Sequence, residues 1–340
     1  MKSETISSIL AVHAGVGQHF VDVEKLCSKA IRKSNGDLCT AIKILEDNPN
    51  CNAGYGSNLS ESGCVECEAA FCSSEEQLFA AVGALRRIRN PIYLARELAE
   101  HQLIASCHDL IPPSVLVSDG AETFAVDRGF ELCSPVELIS KSAHDQWEKA
   151  KEIIDIGSSQ CIEKYKLDTV GAISLDADGK TQAGCSSGGL LLKKSGRLGH
   201  CVQYGGAVWA EQIGSKSVAV TLSGCGEYIA RTQLAKCLGR TALQSSDGDK
   251  LLVNCIEDAF KSEFVLSPLL ARYPKSRVLA GGLLIFSDKD YAAAELVVFH
   301  NTDELAFAFN EDGTIKKAIS RATNSAVTVE SYPLHAFLSK

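Results

Sequence analysis

The pattern that most restricts this chain is the order of its elements: paired amphipathic helices alternate with runs of short strands. Val23–Lys33 and Leu38–Glu46 both place apolar residues at helical spacing, with Gly36 ending the first and Asp37 positioned to cap the second. Ser7–His13 ahead of them and Cys64–Phe71 after them read as strands, and Pro91 opens a helix through Glu100. In the second half, Thr169–Asp176 and Lys180–Cys185 form a predicted hairpin turned by Asp178-Gly179. Val218–Leu222 is a further predicted strand, Cys225–Leu238 and Lys250–Phe260 are predicted helices, and Val278–Phe286, Ala292–Phe299 and Ala306–Phe309 are predicted strands. Each helix has one apolar stripe to bury, so strand runs bracketed by helix pairs predict an α+β fold of stacked layers.

The stretch 135–168 breaks this order. It is polar, its five Lys balance five Asp and Glu between residues 141 and 166, and Gly157-Ser158-Ser159 interrupts any helix, so it is expected to be a linker or mobile helix ahead of the Asp168-Thr169 bond. The net charge of −8 gives no diffuse attraction for nucleic acid or anionic lipid. No run approaches the 18 or so apolar residues that span a bilayer. Fourteen cysteines spread over the chain lack the dense spacing of a secreted disulfide scaffold and read as reduced, mostly buried thiols; with no convincing leader in the opening residues, an intracellular protein is expected, in cytoplasm or nucleus.

Three clusters at strand edges carry potential chemistry: Leu167-Asp168-Thr169-Val170-Gly171-Ala172, Ser186-Ser187-Gly188-Gly189 and Ser223-Gly224-Cys225-Gly226-Glu227. A threonine opening a strand is, taken alone, simply a good β-former. Behind a mobile polar segment, though, Thr169 could become a new N-terminus and so hold nucleophile and base in one residue. Ser187, Arg197 and Asn52 each have a plain alternative, as a turn serine, a surface charge and a turn asparagine.

The order of motifs resembles the threonine-type N-terminal nucleophile hydrolases of the plant-type asparaginase superfamily, and within it the taspase branch. The resemblance runs from His13-Ala14-Gly15 through Leu45-Glu46-Asp47, Asn52–Leu59 and Ala81–Leu85 to Leu167–Ala172, Ser186–Leu190, Gly196–Gly199 and Ser223–Glu227 with Arg231-Thr232. It implies a four-layer αββα sandwich over residues 1–340, cut by the chain itself at Asp168-Thr169 into 1–168 and 169–340, which stay together as an αβ unit or a pair of such units. It further implies Thr169 as nucleophile, Ser187 as its orienting hydroxyl and the Ser223-Gly224 turn as oxyanion hole. Arg197 would hold the substrate carboxylate, with Gly226 and Asn52 lining the substrate site. No cofactor and no metal are implied.

Asparaginases and isoaspartyl peptidases of this superfamily carry a glycine before the threonine and an aspartate three residues after the arginine, which grips the substrate amine. Here Asp168 and His200 stand in those places. The loss of that carboxylate argues for an internal peptide segment as substrate, so an endopeptidase acting on proteins after Asp is expected. An L-asparaginase or isoaspartyl peptidase is the alternative, and an uncleaved relative that only binds partners is a second. Glu68 stands where relatives have aspartate. Cys64-x-x-Cys67 has metal-ligand spacing without the second pair a structural zinc site wants, and Cys225 lacks a visible His–Asn partnership.

Overall fold

The computed structural model describes residues 8–17, 22–104, 109–156, 168–245, 250–311, 313–323 and 326–334. Thirteen strands in these residues form two sheets. The first has eight strands: β1 (Ile9–Val16), β2 (Cys67–Ser73), β3 (Leu78–Leu85), β4 (Val115–Val117), β5 (Val170–Leu175), β6 (Thr181–Ser187), and later β11 (Glu304–Glu311) and β12 (Thr314–Arg321). Their order is β12-β11-β1-β5-β6-β2-β3-β4. The second holds β7 (Val208–Ile213), β8 (Lys216–Gly224), β9 (Ala280–Asp288), β10 (Ala293–His300) and β13 (Thr328–Pro333), ordered β13-β10-β9-β8-β7.

Strand alternation shows how the layers stack. In β1, Leu10, Val12 and Ala14 face a core shared with α1 (Val23–Ser34), α2 (Leu38–Glu46) and α3 (Pro91–His101), while Ile9 and Ala11 face the second sheet. In β8, Ala219 faces the first sheet, whereas Val218, Val220 and Leu222 pack under α6 (Gly226–Thr232), α7 (Leu234–Ser245) and α8 (Leu252–Phe260). Strands buried on both faces read as continuous apolar runs, as Ala280–Phe286 does. Three successive cores thus separate four layers, the expected αββα sandwich.

The expected hairpin is present, and Asp37 caps α2 by accepting from the Thr40 amide. One local expectation needs correction. The helix expected over Cys225–Leu238 is two helices, because Gln233 adopts φ 47° and the start of α7 turns to give its amides to the Gly205 and Gly206 carbonyls. In the stretch 135–168, read from sequence as a linker or mobile helix, the described part is helical. Pro135–Leu138 forms a 3₁₀ turn and Lys141–Asp155 a helix, α5 by order after α4 (Ser118–Asp127), whose Ser140 caps Ala143 and whose Trp147 indole donates to the Ser60 carbonyl at 2.8 Å. Gly157-Ser158-Ser159 lies outside the described residues. Finally, β3, β4, β7, β12 and β13 have no counterpart in the sequence reading.

Candidate active site

Asp168 and Thr169 immediately precede β5, in the middle of the first sheet. Both are buried, 5% and 3% exposed. The end of β1 presses against the residue ahead of this bond: Gly15 has φ +100°, and a Cβ on it would lie 2.4 Å from Asp168 Cα, so only glycine fits. The β5–β6 register pairs Val170 with Ser186, which brings the next residues outward, Thr169 and Ser187, face to face. The Thr169 hydroxyl donates to Ser187 Oγ at 3.2 Å, and the same oxygen accepts from the Gly189 amide at 3.0 Å.

A second loop locks that turn. The Gly188 amide donates to the Asn52 carbonyl at 2.8 Å, and the Asn52 and Asn58 side-chain amides both donate to the Gly189 carbonyl, at 2.8 and 2.9 Å. The remaining Asn52 oxygen accepts from the Asn58 amide. Asn52 therefore lines the cleft, but its side-chain hydrogen bonds go to Gly189 and Asn58 and not to Thr169.

The end of β8 forms the floor. Ser223 is fully buried and Gly224 is the residue that reaches the cleft. Its φ of +145° and the 2.4 Å that would separate a Cβ from the Leu279 carbonyl oxygen make glycine obligatory. Gly226, first in α6, lets Arg197 Nη2 and His200 Nδ1 approach to 3.0 Å from where its Cβ would be. Arg197, its side chain 15% exposed, places Nε and Nη2 each 2.7 Å from Glu227 Oε1. His200 is buried, with Nε2 3.3 Å from the Leu222 carbonyl oxygen; burial lowers its pKa, the nearby Arg197 charge adds to that, and Glu68 opposes it. It is therefore the neutral imidazole, not a cation, that lines the site.

Glu68 is the cleft residue to which sequence reasoning gave no role. The β2–β6 register sets it opposite Ser187. One carboxylate oxygen accepts from the Gly199 amide at 2.6 Å; the other, Oε1, is buried with no hydrogen-bond partner. Its signals in sequence were its place where relatives have aspartate and the alternation of Glu66, Cys67 and Glu68 leading into a buried strand. Together Asn52, Glu68, Thr169, Ser187, Arg197 and His200, with glycines between them, line one narrow cleft open to solvent.

The competing cysteines do not converge. Cys67 Sγ is 3.2 Å from Ser57 Oγ, whereas Cys64 turns to the Ser62 carbonyl. Burial raises the Cys225 thiol pKa, against what a cysteine nucleophile needs. Among the described residues every cysteine is unbridged, and no helix is long and apolar enough to cross a membrane.

The arrangement sets a hydroxyl with a hydrogen-bonded orienting partner at one wall of a small cleft and a guanidinium at the other. That combination suits acyl transfer from a substrate bearing a carboxylate. Comparison with known proteins points the same way. The asparaginase family profile matches residues 20–249. The isoaspartyl peptidase/L-asparaginase of Bos taurus is 31% identical over 84% of this chain and 83% of its own, and that of Xenopus laevis 26% identical over 95% and 98%. The isoaspartyl peptidase of Escherichia coli is 31% identical over 57% and 58%. The names of these relatives match the alternative reading of the sequence, isoaspartyl peptidase or L-asparaginase, more closely than its taspase reading. With the profile covering more than half of the chain and the cleft built from the motifs that first suggested it, this protein belongs to the asparaginase family of N-terminal nucleophile hydrolases.

Proposed function

We propose that the protein is a self-processing threonine hydrolase that cleaves protein substrates after an internal aspartate. In activation, the Thr169 hydroxyl adds to the Asp168 carbonyl carbon, the C–N bond breaks, and the Thr169 amine takes up the hydroxyl proton. Water then hydrolyses the ester, leaving a carboxylate on Asp168 and a free Thr169. The freed amine, with a reference pKa of about 7.7–8.0, serves as base for the adjacent hydroxyl near neutral pH. In turnover, Thr169 Oγ takes the acyl group of the substrate, the Gly224 turn supplies donors to the oxyanion, and water releases the acid. Fragments 1–168 and 169–340 remain one αβ unit, since β5 pairs with β1 from the other side of the cut.

The observation that carries this reading is the buried Asp168-Thr169 pair, its hydroxyl held by Ser187, facing a cleft whose far wall is Arg197 beside a neutral His200. An aspartyl residue before the cut makes the precursor bond resemble the substrate bond. A neutral imidazole offers no charge to a substrate ammonium, which favours a peptide nitrogen over a free amine.

The relatives' names support a second reading, hydrolysis of asparagine or β-aspartyl dipeptides. Both substrate classes set a carboxylate two carbons from the scissile carbonyl, and they differ in where the nitrogen sits. Intact mass of wild type and Thr169→Ala tests the shared chemistry: two fragments meeting at Asp168/Thr169 are expected in the first and one chain in the second. An uncut wild type after long incubation would leave only the binding-relative reading. Side-by-side assay of an internal Asp peptide, asparagine and a β-aspartyl dipeptide separates the branches, and preference for the small amides would overturn the endopeptidase assignment.

A further inference from the structure

We propose that Glu68, His200 and Cys201 form a binding site for a zinc-class divalent cation on the cleft wall, and that its occupation inhibits the enzyme. One carboxylate oxygen, one ring nitrogen and the thiol lie within 4.8 Å of one another, all on side chains at most 3% exposed. A tetrahedral zinc site with bonds of about 2.0–2.3 Å sets its ligand atoms roughly 3.3–3.8 Å apart, so a contraction of about 1 Å assembles the three. Carboxylate, imidazole and thiolate are all ordinary zinc donors.

An independent observation points to a ligand. Glu68 Oε1 is buried with no hydrogen-bond partner, and an orphaned carboxylate oxygen at that depth costs on the order of 1–3 kcal/mol or more. When His200 Nε2–H donates to the Leu222 carbonyl, Nδ1 keeps its lone pair. Cys201, whose thiol pKa is raised by burial and by the neighbouring Cys185 and Glu68, must lose its proton to water for the cation to bind. The site then balances in charge, one carboxylate and one thiolate against two positive charges. The Arg197 charge next door is already matched by Glu227 at 2.7 Å. Glu68 and His200 line the cleft, so the cation enters as substrate does, and its fourth position faces the cleft. A cation there draws the substrate carboxylate away from Arg197 and fills the wall against which substrate must lie.

The other cluster of the same kind, His144, Asp145 and Glu148, lies on α5 with no buried member and serves as a control.

The test is made first on the uncut Thr169→Ala chain, so that it does not depend on hydrolysis. Equilibrium dialysis against zinc chloride should show one tight equivalent, and cobalt(II) should give the visible spectrum of a tetrahedral site with a thiolate band. Cys201→Ser and Glu68→Gln, each verified as folded by its melting transition, should weaken zinc about 100-fold or more, since even supporting residues around a metal are worth 10–100-fold. His144→Ala should change nothing. Absence of a tight equivalent, or zinc binding unaltered in both cleft variants, overturns the proposal. The inhibitory half rests on the proposed hydrolase function: zinc should abolish wild-type turnover and a chelator restore it. Full turnover with zinc bound refutes inhibition alone, and tight binding to a chain without any hydrolytic activity refutes the hydrolase reading while leaving the cation site standing.

Discussion

Replacing Ser187 by alanine separates orientation of the nucleophile from stability of the fold. Its Oγ receives two hydrogen bonds in the structure, from the Thr169 hydroxyl at 3.2 Å and from the Gly189 amide at 3.0 Å, and the residue is 2% exposed. Alanine leaves both donors without that acceptor. The Thr169 hydroxyl can rotate, but the Gly189 amide cannot, so the stability loss is about 1–3 kcal/mol, at the lower end if cleft water replaces the oxygen. The larger effect falls on chemistry. A nucleophile displaced by about 1 Å loses on the order of 10²-fold in rate, equal to about 2.7 kcal/mol at 1.36 kcal/mol per factor of ten. Self-cleavage of Ser187→Ala should therefore be about 100-fold slower than wild type, followed by intact mass as the 340-residue chain gives fragments of 168 and 172 residues (340 minus 168). Stability is measured apart from cleavage, by urea unfolding of Thr169→Ala with and without Ser187→Ala. Cleavage within twofold of wild type would refute an orienting role for Ser187. A rate loss matched by general unfolding of the double variant would reduce it to a structural one.

Three other expectations follow from single contacts. Gly15→Ala would set a Cβ 2.4 Å from Asp168 Cα at a positive φ; the displaced bond should slow self-cleavage at least about tenfold, and an unchanged time course would remove Gly15 from the processing geometry. Arg197→Lys keeps the charge and loses the planar fork, so KM for the preferred substrate should rise about 10–100-fold with kcat less affected; a loss confined to kcat would argue against carboxylate binding. Glu46 is buried beneath the Asn52 loop, accepts from the Ile92 amide, and burial pushes its pKa from 4.5 to about 7. A raised carboxyl pKa means the native state holds the extra proton, so stability falls as pH rises from about 4.5 through 7. The rise of roughly 2.5 pH units amounts to on the order of 3 kcal/mol. Glu46→Gln should flatten that slope and be more stable than wild type above pH 7 by urea titration, and parallel curves for the two would contradict the assignment.

Periodicity made α1, α2 and α3 legible, because each buries a single stripe and is bounded by capping or breaking residues such as Asp37 and Pro91. The β5–β6 hairpin was legible from Asp178-Gly179, since few dipeptides accept that turn. β12 was not: Thr-Ile-Lys-Lys-Ala-Ile-Ser-Arg is polar because it is an edge strand, where lysines discourage further pairing. The break at Gln233 was equally hidden, since neither glycine nor proline marks it and only the docking of α7 on the Gly205-Gly206 carbonyls requires it. The same division runs through the site. Thr169, Ser187, Arg197 and Gly224 could be named from local motifs. That Asn52 serves the Gly189 turn and that Ser223 lies behind Gly224 depend on pairings between segments more than 50 residues apart.

What the sequence determined by itself was the layered α+β plan and a candidate hydroxyl nucleophile, because helix stripes, turn dipeptides and a hydroxyl at a strand start are properties of neighbouring residues. Only the tertiary structure decided which side chains share the cleft. The β2–β6 register carries Glu68 to Ser187, and the approach of α6 brings Glu227 onto Arg197 and Gly226 against His200. No local pattern encodes those meetings, because a strand's register and a helix's docking are set by the whole buried surface they complete.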